Sequence, residues 1–443
     1  MNKIIIEQAL KALEIEQLTP MQQETINYAT DRRDIILLSP TGSGKTLAYL
    51  LPTLLMLEER GKQPGFYSLI LVPSRELALQ VQRVFTSLKS GYSSVCCYGG
   101  HSLSEEKKSL SANDASIVIG TPGRILDHIE RENLNTNDIE LLIIDEFDKA
   151  LEFGFHDEMS KIIKLLPRLN RRFLLSATDA EEIPQFTGVG RLRKLNYLNE
   201  GEELSTRLEQ QIVNSPNKDK LETLYQLLCC FQGESTIVFC NHRDAVDRIN
   251  DYLKKQDIDS EGFHGGLEQD NRERSLYKFS NGSANVLVST DLASRGLDIP
   301  EVEHVVHYHL PVNEEAFTHR NGRTARWKAT GASYIILHEE ETVPEYVTNA
   351  VTKFEFPDVL PKPAHSSWAT LYIGKGKKDK VNKIDIVGFV YKKGQLNKDE
   401  VGRIDVKDHF SYIAVKRNKL PQLLKLVQGE KIKGMKTIFQ EAY

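Results

Sequence analysis

Residues 39–46 read Ser-Pro-Thr-Gly-Ser-Gly-Lys-Thr and follow an apolar run at positions 35–38. A strand that enters a glycine-rich loop ending in Lys-Thr, ahead of a helix-prone stretch, is typical of a phosphate-binding loop. Gly42 and Gly44 let backbone N–H groups turn towards phosphate oxygens. Lys45 reaches the outer phosphates, and the Thr46 hydroxyl is a ligand for Mg²⁺. The loop predicts a site for a nucleoside triphosphate; the alternative is a chance glycine-rich turn.

An acidic pair follows a second apolar strand. Residues 141–148 read Leu-Leu-Ile-Ile-Asp-Glu-Phe-Asp, which places Asp145 and Glu146 at the carboxyl end of a buried strand, where α/β sheets present catalytic groups. Asp145 can hold Mg²⁺ through water, and Glu146 can orient the water that attacks the γ-phosphate or accept its proton. An acidic surface turn is the alternative. Beside a phosphate loop, the pair predicts ATP hydrolysis.

Guanidinium and hydroxyl groups recur near predicted loops and strand ends. Arg323 and Arg326 lie three apart and can face one direction on a helix. From a second domain, they could supply charge to the transferring phosphate when the domains close. Five further residues carry guanidinium or hydroxyl groups that suit contacts with the phosphates and riboses of a nucleic acid. Such contacts fix the position of the protein along the strand without reading the base sequence. The five are Thr121, Arg124, Arg272, Thr290 and Arg295. Any one of them alone is more often a solvated surface residue.

Two series of short apolar strands, alternating with helical stretches, must position these groups. The first series occupies 35–39, 68–72, 94–98, 116–119, 141–145 and 172–176, and the second 211–213, 235–240, 260–263, 285–289, 303–308 and 332–337. Each series predicts a mostly parallel α/β sheet with helices on both faces. A glutamate-rich stretch at 198–208 predicts the linker between them. We therefore expect one domain at 1–200 and a second at 209–345.

The last segment differs from the two sheet series in its order of strands and helices and in its charge. Strand 369–374, helix 382–392, strands 401–406 and 411–415, helix 420–428 and strand 436–442 give β-α-β-β-α-β, the order of the RNA-recognition motif. From residue 364 onward, 17 Lys and Arg stand against 8 Asp and Glu, whereas the rest of the chain has 40 against 54. A basic module on an acidic remainder predicts binding of a polyanion, with nucleic acid as the leading candidate. We assign 346–367 to a linker and 368–443 to this α+β module.

The composition is that of a multidomain globular protein. With 443 residues, 40% apolar and 27% charged, the chain is too long for one domain and ordinary in polarity. Its longest apolar stretch is too short to span a bilayer, and no signal peptide is evident. Its five cysteines form no Cys-x-x-Cys pair, which favours reduced thiols over a zinc site or a disulfide framework. We expect a cytoplasmic monomer with no membrane partner.

The motifs together resemble those of the DEAD-box RNA helicases, in the family's order over residues 1 to about 340. Asp145-Glu146-Phe147-Asp148 looks like motif II, with Phe147 where the family usually has Ala. The other matching stretches are Thr19-Pro20-Met21-Gln22, Pro73–Ala78, Gly99-Gly100, Thr121–Arg124, Ser176-Ala177-Thr178, Val238–Asn241, Gln269-x-x-Arg272, Ser289–Asp298 and His319–Arg326. The resemblance implies two tandem RecA-like domains that close over ATP, Mg²⁺ and single-stranded RNA, and local unwinding of a short duplex.

The resemblance also implies roles for individual residues. Thr19 and Gln22 belong to the stretch that reads adenine, Asp298 contacts the ribose, and Ser176 and Thr178 couple hydrolysis to closure. The residues around the phosphates are Thr41, Gly42, Ser43, Gly44, Lys45 and Thr46. The RNA contacts are Arg75, Gly100, Thr121, Arg124, Arg272, Thr290 and Arg295. Two departures stand out, because isoleucines at 4–6 replace the usual aromatic residue and Asn321 replaces a usual aliphatic.

The C-terminal module resembles the RNA-binding domain of DbpA-like bacterial DEAD-box proteins. Members of that subfamily bind a hairpin of 23S ribosomal RNA and act in assembly of the large ribosomal subunit. The stretches that carry the resemblance are Leu371–Ile373, Gly376–Lys380, Lys383–Gly388, Gly402–Val406, Ser411–Arg417 and Lys431–Gly434. Tyr372 and Tyr412 occupy positions where such sheets stack bases, or they pack under a helix. Lys377 and Lys378 contact RNA phosphates, or they belong to a solvated loop.

The leading hypothesis is an ATP-dependent RNA helicase acting on structured RNA, with 23S rRNA or a ribosome precursor as the partner. One alternative is an ATP-gated RNA clamp or assembly scaffold that unwinds little. A processive DNA translocase is a further alternative, and the family-specific motifs and the RNA-recognition order of the tail disfavour it.

Overall fold

The computed structural model describes residues 2–28, 31, 33–40, 42–112, 114–178, 183–198, 208–291, 302–324, 331–347 and 351–442. They form two compact units, one ending at residue 198 and the other beginning at residue 208. Within these ranges, no helix combines the length and the apolar character that crossing a membrane requires.

The helices and strands are numbered in chain order. The helices are α1 Asn2–Ala12, α2 Pro20–Asn27, α3 Lys45–Arg60, α4 Arg75–Ser87, α5 Leu103–Ser111, α6 Pro122–Glu130, α7 Phe147–Glu152, α8 His156–Lys164, α9 Leu221–Cys230, α10 Arg243–Lys255, α11 Gln269–Ser280, α12 Glu314–Asn321, α13 Lys383–Lys392 and α14 Leu420–Val427. The strands are β1 Asp34–Leu38, β2 Ser68–Leu71, β3 Ser94–Cys97, β4 Ile117–Gly120, β5 Leu141–Ile144, β6 Arg171–Ser176, β7 Leu192–Asn196, β8 Leu208–Ser215, β9 Thr236–Cys240, β10 Ser260–Phe263, β11 Val286–Thr290, β12 His304–His307, β13 Gly331–His338, β14 Val351–Lys353, β15 Trp368–Ile373, β16 Val401–Val406, β17 Ser411–Lys416, β18 Lys431–Ile432, β19 Met435–Lys436 and β20 Phe439–Glu441.

The first unit is built on a parallel sheet in the order β3-β4-β2-β5-β6-β1-β7. Strands β1 and β5 are buried along their whole length, as expected for a sheet with helices on both faces. Neighbouring residues of β1 point to opposite faces, so Leu37 and Leu38 belong to different core clusters. The loops that follow β1 and β5 leave the same edge of the sheet, which brings Lys45 and Asp145 towards each other.

The second unit contains another parallel sheet, in the order β10-β11-β9-β12-β13-β8-β14. The two sheets confirm the predicted tandem α/β architecture. Two edge strands, β7 and β14, are additions that the sequence does not predict, because both are short and largely polar or exposed. Strand β14 lies inside the predicted linker 346–367 and pairs with β8, so that part of the linker belongs to the second sheet.

The C-terminal module has an antiparallel sheet in the order β16-β17-β15-β20. Helices α13 and α14 cover one face of it, where Ile386 and Leu423 share a core with Leu371 and Ile413. This arrangement confirms the predicted β-α-β-β-α-β order. The end of the module differs from the expected strand 436–442, since a small β18-β19 hairpin precedes a shorter β20.

Candidate nucleotide site and RNA interface

The phosphate loop joins β1 to α3 through backbone conformations that favour glycine. Gly42 and Gly44 have φ angles of +84° and +94°, in the left-handed region. Lys45 opens α3, and its ammonium donates to the carbonyls of Ser39 at 2.5 Å and Pro40 at 3.1 Å. The loop is thus closed around the lysine that the sequence assigns to the phosphates. The N–H groups at the start of α3 add a partial positive charge beside it.

Asp145 lies at the end of β5 and is almost completely buried, with 3% of its surface exposed. Its Oδ1 accepts the backbone N–H of Glu146 at 2.9 Å, and its Oδ2 accepts the Tyr49 hydroxyl at 3.0 Å. Burial raises the pKa of Asp145 and lowers the pKa of Lys45, and the charge of each group opposes the shift of the other. The structure therefore brings the predicted lysine and aspartate into one buried site.

Glu146 sits where the chain turns sharply from β5 into α7. Its φ angle is +50°, a left-handed conformation that is uncommon for a residue with a side chain. Such strained backbone recurs at functional sites.

Asp148 connects the acidic turn to the loop after β6. Its Oδ2 accepts the Thr178 hydroxyl at 2.9 Å and the Ala177 N–H at 3.2 Å, and the Ser176 hydroxyl donates to the Thr178 carbonyl at 2.6 Å. The two predicted coupling residues, Ser176 and Thr178, thus lie directly against the acidic turn. The sequence gives Asp148 no role of its own, although it belongs to the motif, because its partner lies about 30 residues away.

Thr19 and Gln22 begin α2 with a reciprocal capping box. The Thr19 hydroxyl accepts the Gln22 N–H at 3.2 Å, and Gln22 Oε1 accepts the Thr19 N–H at 3.0 Å. Gln22 Nε2 donates to the Gly44 carbonyl at 3.2 Å, which places this predicted adenine-reading pair beside the phosphate loop. Two other predicted nucleotide contacts, Thr41 and Asp298, lie outside the described residues.

The four RNA contacts predicted for the first unit gather at one edge of its sheet. Arg75 follows β2, Gly100 follows β3, and Thr121 and Arg124 follow β4; these strands are neighbours. The Arg75 guanidinium lies so close to Gly100 that a Cβ there would be 2.6 Å from Nη1. Arg124 Nη2 donates to the His101 carbonyl at 2.7 Å. Guanidinium groups beside the starts of α4 and α6 form a surface suited to phosphates.

A buried carboxylate, that of Glu106, holds residues of this surface in place. Glu106 is 1% exposed, and its Oε2 lies 3.2 Å from Arg124 Nε and 2.7 Å from His128 Nε2. Its Oε1 accepts the Tyr98 N–H at 3.0 Å, which fixes the loop before Gly100. Sequence reasoning missed Glu106, because it reads as one more charge on a surface helix.

The predicted RNA contacts of the second unit are only partly described. Thr290 ends β11, and Arg272 on α11 lies over the ring of Phe263, 5.2 Å from its centroid. Phe263 pairs with Ser289, so Arg272 and Thr290 approach the same edge of the sheet. Arg323 is buried after α12. Arg295 and Arg326 lie outside the described residues.

Arg320 is a second residue that sequence reasoning missed as a site residue. It is 1% exposed, and it forms a two-point ion pair with Asp291 at 2.6 and 2.7 Å. Two further hydrogen bonds go to Asn241 Oδ1 at 2.8 Å and to the His309 carbonyl at 2.7 Å, and Nη1 also lies 3.5 Å from His307 Nδ1. One guanidinium thus holds together the loops after β9, β11 and β12. The available signal was its place in the stretch 319–326, which supplied two other predicted arginines.

The structure explains Asn321, which replaces a usual aliphatic residue. Its Oδ1 lies 3.0 Å from His307 Nε2 and accepts the Ser333 hydroxyl at 2.8 Å. All three side chains are buried. Burial first, and then the charge of Arg320, lowers the pKa of His307 to about 3, so the imidazole is neutral. Asn321 provides the polar partner that this buried imidazole needs.

The aromatic face of the C-terminal module lies against α11. Tyr412 is 4% exposed and stacks on Tyr277 of α11, with ring centroids 5.0 Å apart at 27°. The Tyr277 hydroxyl donates to the Arg403 carbonyl at 2.6 Å, and Lys407 forms an ion pair with Glu273 at 3.1 Å. A protein ring therefore covers Tyr412, one of the two aromatics predicted to stack on bases.

Further contacts fix this module to the second sheet domain. Asn281 donates to the Thr370 hydroxyl at 2.9 Å, and Arg417 lies 3.0 Å from Asp259. Tyr372 is half-buried beside Tyr412, at a centroid distance of 5.9 Å. Lys377 and Lys378, which were predicted to contact RNA phosphates, are exposed on the turn after β15.

Three family models match the chain in succession. They are the DEAD/DEAH box helicase over residues 19–186, the helicase conserved C-terminal domain over 219–328 and the DbpA RNA binding domain over 370–440. The chain is 30% identical to the ATP-dependent RNA helicase DbpA of Bacillus subtilis, over 96% of this chain and 95% of that one. It is 32% identical to the Escherichia coli protein of that name, over 94% and 93%.

Solved structures agree at the level of the fold. S. cerevisiae Dbp5 bound to RNA and ADP BeF3 has a TM-score of 0.69 and 24% identity, covering 79% of this chain and 93% of that chain. Mss116p bound to ssRNA and AMP-PNP has a TM-score of 0.70 and 25% identity, covering 80% and 77%. The chain belongs to the family of DEAD-box ATP-dependent RNA helicases, and within it to the DbpA type with a C-terminal RNA-binding domain.

Proposed function

We propose that this helicase hydrolyses ATP to remodel structured RNA locally, and that its target is 23S rRNA in a precursor of the large ribosomal subunit. The observation that carries the target is the match of residues 370–440 to the DbpA RNA binding domain, together with the strongly basic charge from residue 364 onward. Phosphate contacts from such a module add affinity for RNA, which steers the helicase core to a chosen site. We further propose that it works as a monomer in the cytoplasm.

The nucleotide site supports this chemistry through the groups it brings together. We assign Lys45 and the loop N–H groups to the β- and γ-phosphates, and Glu146 to the attacking water. The carboxylate of Asp145 and the hydroxyl of Thr46 are hard oxygen ligands, and the Asp145 carboxylate is held by the Tyr49 hydroxyl, so the donor set fits Mg²⁺. When bound, Mg²⁺ neutralises charge on the outer phosphates.

The first test removes the proposed group that orients water. Glu146→Gln keeps the shape of the side chain and removes its basicity, so we expect the ATP hydrolysis rate to fall by a factor of about 10² to 10⁴. Affinities for ADP and RNA should stay within about threefold, because other groups make those contacts. Hydrolysis within a few fold of the wild-type rate would remove Glu146 from the mechanism.

The second test addresses the RNA target. An rRNA fragment containing the relevant hairpin should stimulate ATP hydrolysis at lower concentrations than poly(A). The double substitution Lys377→Gln with Lys378→Gln should reduce that preference for the rRNA fragment. It should also lower the slope of log affinity against log salt concentration by about one to two, the loss of one or two phosphate contacts. A matched change of two other exposed lysines, Lys392→Gln with Lys425→Gln, removes the same charge from helices of the module. Equal stimulation of the wild type by both RNAs would contradict the ribosomal target.

A strand-displacement assay separates a helicase from an ATP-gated clamp. A short RNA duplex joined to the hairpin should be separated with ATP. A non-hydrolysable analogue supports at most a single round, because resetting requires hydrolysis. Binding without strand separation under both conditions would favour the clamp.

A further inference from the structure

Tyr49 lies one turn into α3 and is completely buried, with 0% exposed surface. Its hydroxyl donates to Asp145 Oδ2 at 3.0 Å. Thr46 opens the same helix three residues earlier, on the same face as Tyr49. The phenol therefore holds Asp145, one of the two groups that fit Mg²⁺.

The tyrosine ring by itself does not need these partners. It packs in a hydrophobic cluster with Leu37, Ile70 and Ile143, and a phenylalanine would fill the same space. A buried hydroxyl is tolerated only when it is hydrogen-bonded. The group that satisfies this hydroxyl is the Asp145 carboxylate, so the structural effect of the hydroxyl is concentrated on Asp145.

The hydrogen bonds of Asp145 show how its carboxylate is held. Oδ1 accepts the N–H of Glu146 and Oδ2 accepts the hydroxyl of Tyr49, so a donor on each oxygen fixes the plane of the carboxylate. Each oxygen keeps a further lone pair, which leaves it able to accept from a metal-bound water. Without the phenol, the carboxylate can rotate, and its attraction to the buried Lys45 is less constrained.

We propose that Tyr49 is a positioning residue that sets the Asp145 carboxylate for Mg²⁺ before the ion and the nucleotide arrive. The inference rests on the proposed magnesium site. It predicts that losing the hydroxyl weakens the contribution of Mg²⁺ to nucleotide binding and leaves metal-free binding nearly unchanged. Pre-organisation of this kind stabilises a complex by reducing the ordering that must accompany binding.

The experiment uses the full chain and measures ADP affinity by isothermal titration calorimetry, once with Mg²⁺ and once with EDTA. The quantity compared is the dissociation constant for ADP in EDTA divided by that in Mg²⁺, which measures how much the ion strengthens binding. We expect Tyr49→Phe to reduce this ratio by about five- to tenfold, the order of one hydrogen bond to a carboxylate. The dissociation constant in EDTA should change less than twofold, and the thermal unfolding midpoint should confirm that the variant is folded.

Tyr92→Phe is the matched control, because its hydroxyl bonds at the other end of the same helix, to the Leu57 carbonyl at 3.1 Å. This variant should keep the wild-type ratio. A ratio within twofold of wild type for Tyr49→Phe would overturn the inference while leaving the magnesium site intact. An increased ratio, or equal weakening with and without the ion, would overturn it as well. A wild type that binds ADP equally in both conditions would overturn both the magnesium site and the role of Tyr49.

Discussion

Truncating Tyr277 should release the C-terminal module from the second sheet domain. The side chain is 4% exposed, its ring stacks on Tyr412, and its hydroxyl donates to the Arg403 carbonyl. Removing a buried aromatic side chain costs about 3–5 kcal/mol, of which the ring pair contributes about 1 kcal/mol and the hydrogen bond about 1 kcal/mol. We expect Tyr277→Ala to lower the free energy of unfolding by about 4 kcal/mol, and Tyr277→Phe by about 1 kcal/mol.

Tryptophan fluorescence can follow this contact during urea unfolding. Trp368 starts β15 beside the second sheet domain, where a Cβ added to Gly282 would lie 3.6 Å from its ring. The chain has two tryptophans, so a Trp327→Phe background leaves Trp368 as the reporter. In the wild type, the Trp368 transition should coincide with the loss of helical circular dichroism. With Tyr277→Ala it should come first, at a lower urea concentration.

Tyr391→Ala is the control for this prediction, since Tyr391 lies on α13 of the same module and is 36% exposed. We expect it to change the free energy of unfolding by less than about 1 kcal/mol. If Tyr277→Ala changed stability as little as this control, the docking of the module on α11 would be refuted. If Tyr277→Phe were as damaging as Tyr277→Ala, the stacking argument would fail and the hydroxyl would carry the contact.

Three further outcomes follow from single residues. Gly44→Ala places a Cβ 2.6 Å from Gln22 Nε2 and should weaken ADP binding at least tenfold in calorimetry, whereas Gly61→Ala, also at positive φ but with open space around it, should not. Burial holds the pKa of His307 at about 3, below about 6.5 in the unfolded chain. The folded state therefore loses no stability to His307 above about pH 6.5, and the free energy of unfolding decreases by up to about 1.4 kcal/mol per pH unit as the pH falls towards about 4, because only the unfolded chain takes up the proton. His307→Gln should reduce the slope of the free energy of unfolding against pH by the equivalent of one proton. An unchanged slope would contradict the assignment. Glu106→Ala leaves the buried His128 and the partly buried Arg124 without their carboxylate and should cost about 3–5 kcal/mol in thermal unfolding; a loss below about 1 kcal/mol would show that the network is dispensable.

The nucleotide site was predictable because its information is local. Strand, loop and helix follow one another within residues 34–60, and the apolar run at 141–144 directly precedes Asp145 and Glu146. Parallel sheets present the carboxyl ends of their strands at one edge, so the meeting of the two segments followed from the fold class alone. The central strands were visible for a related reason, since strands buried on both faces are continuous apolar runs.

The contacts that sequence reasoning missed join residues far apart in the chain. Nothing near Tyr412 indicates that Tyr277 covers it, and nothing near Asn321 indicates that its partner is His307. Glu106 was invisible for a different reason, because its helix has the charge pattern of a solvated surface. Such pairings depend on tertiary packing, which overrides local pattern. Edge strands such as β14 are equally faint, because a short polar strand needs only one neighbour.

Because the C-terminal module docks on α11, the length of the connector no longer sets how close the module lies to the second sheet domain. On a flexible tether, the local concentration of a binding module falls smoothly as the linker lengthens. Here Tyr277, Asn281 and Asp259 hold the module directly, so extra residues in the connector would alter little while those contacts persist. If the module binds the proposed hairpin, the variable that remains is on the RNA: the number of nucleotides between that hairpin and the duplex must match the fixed distance set by the docked module.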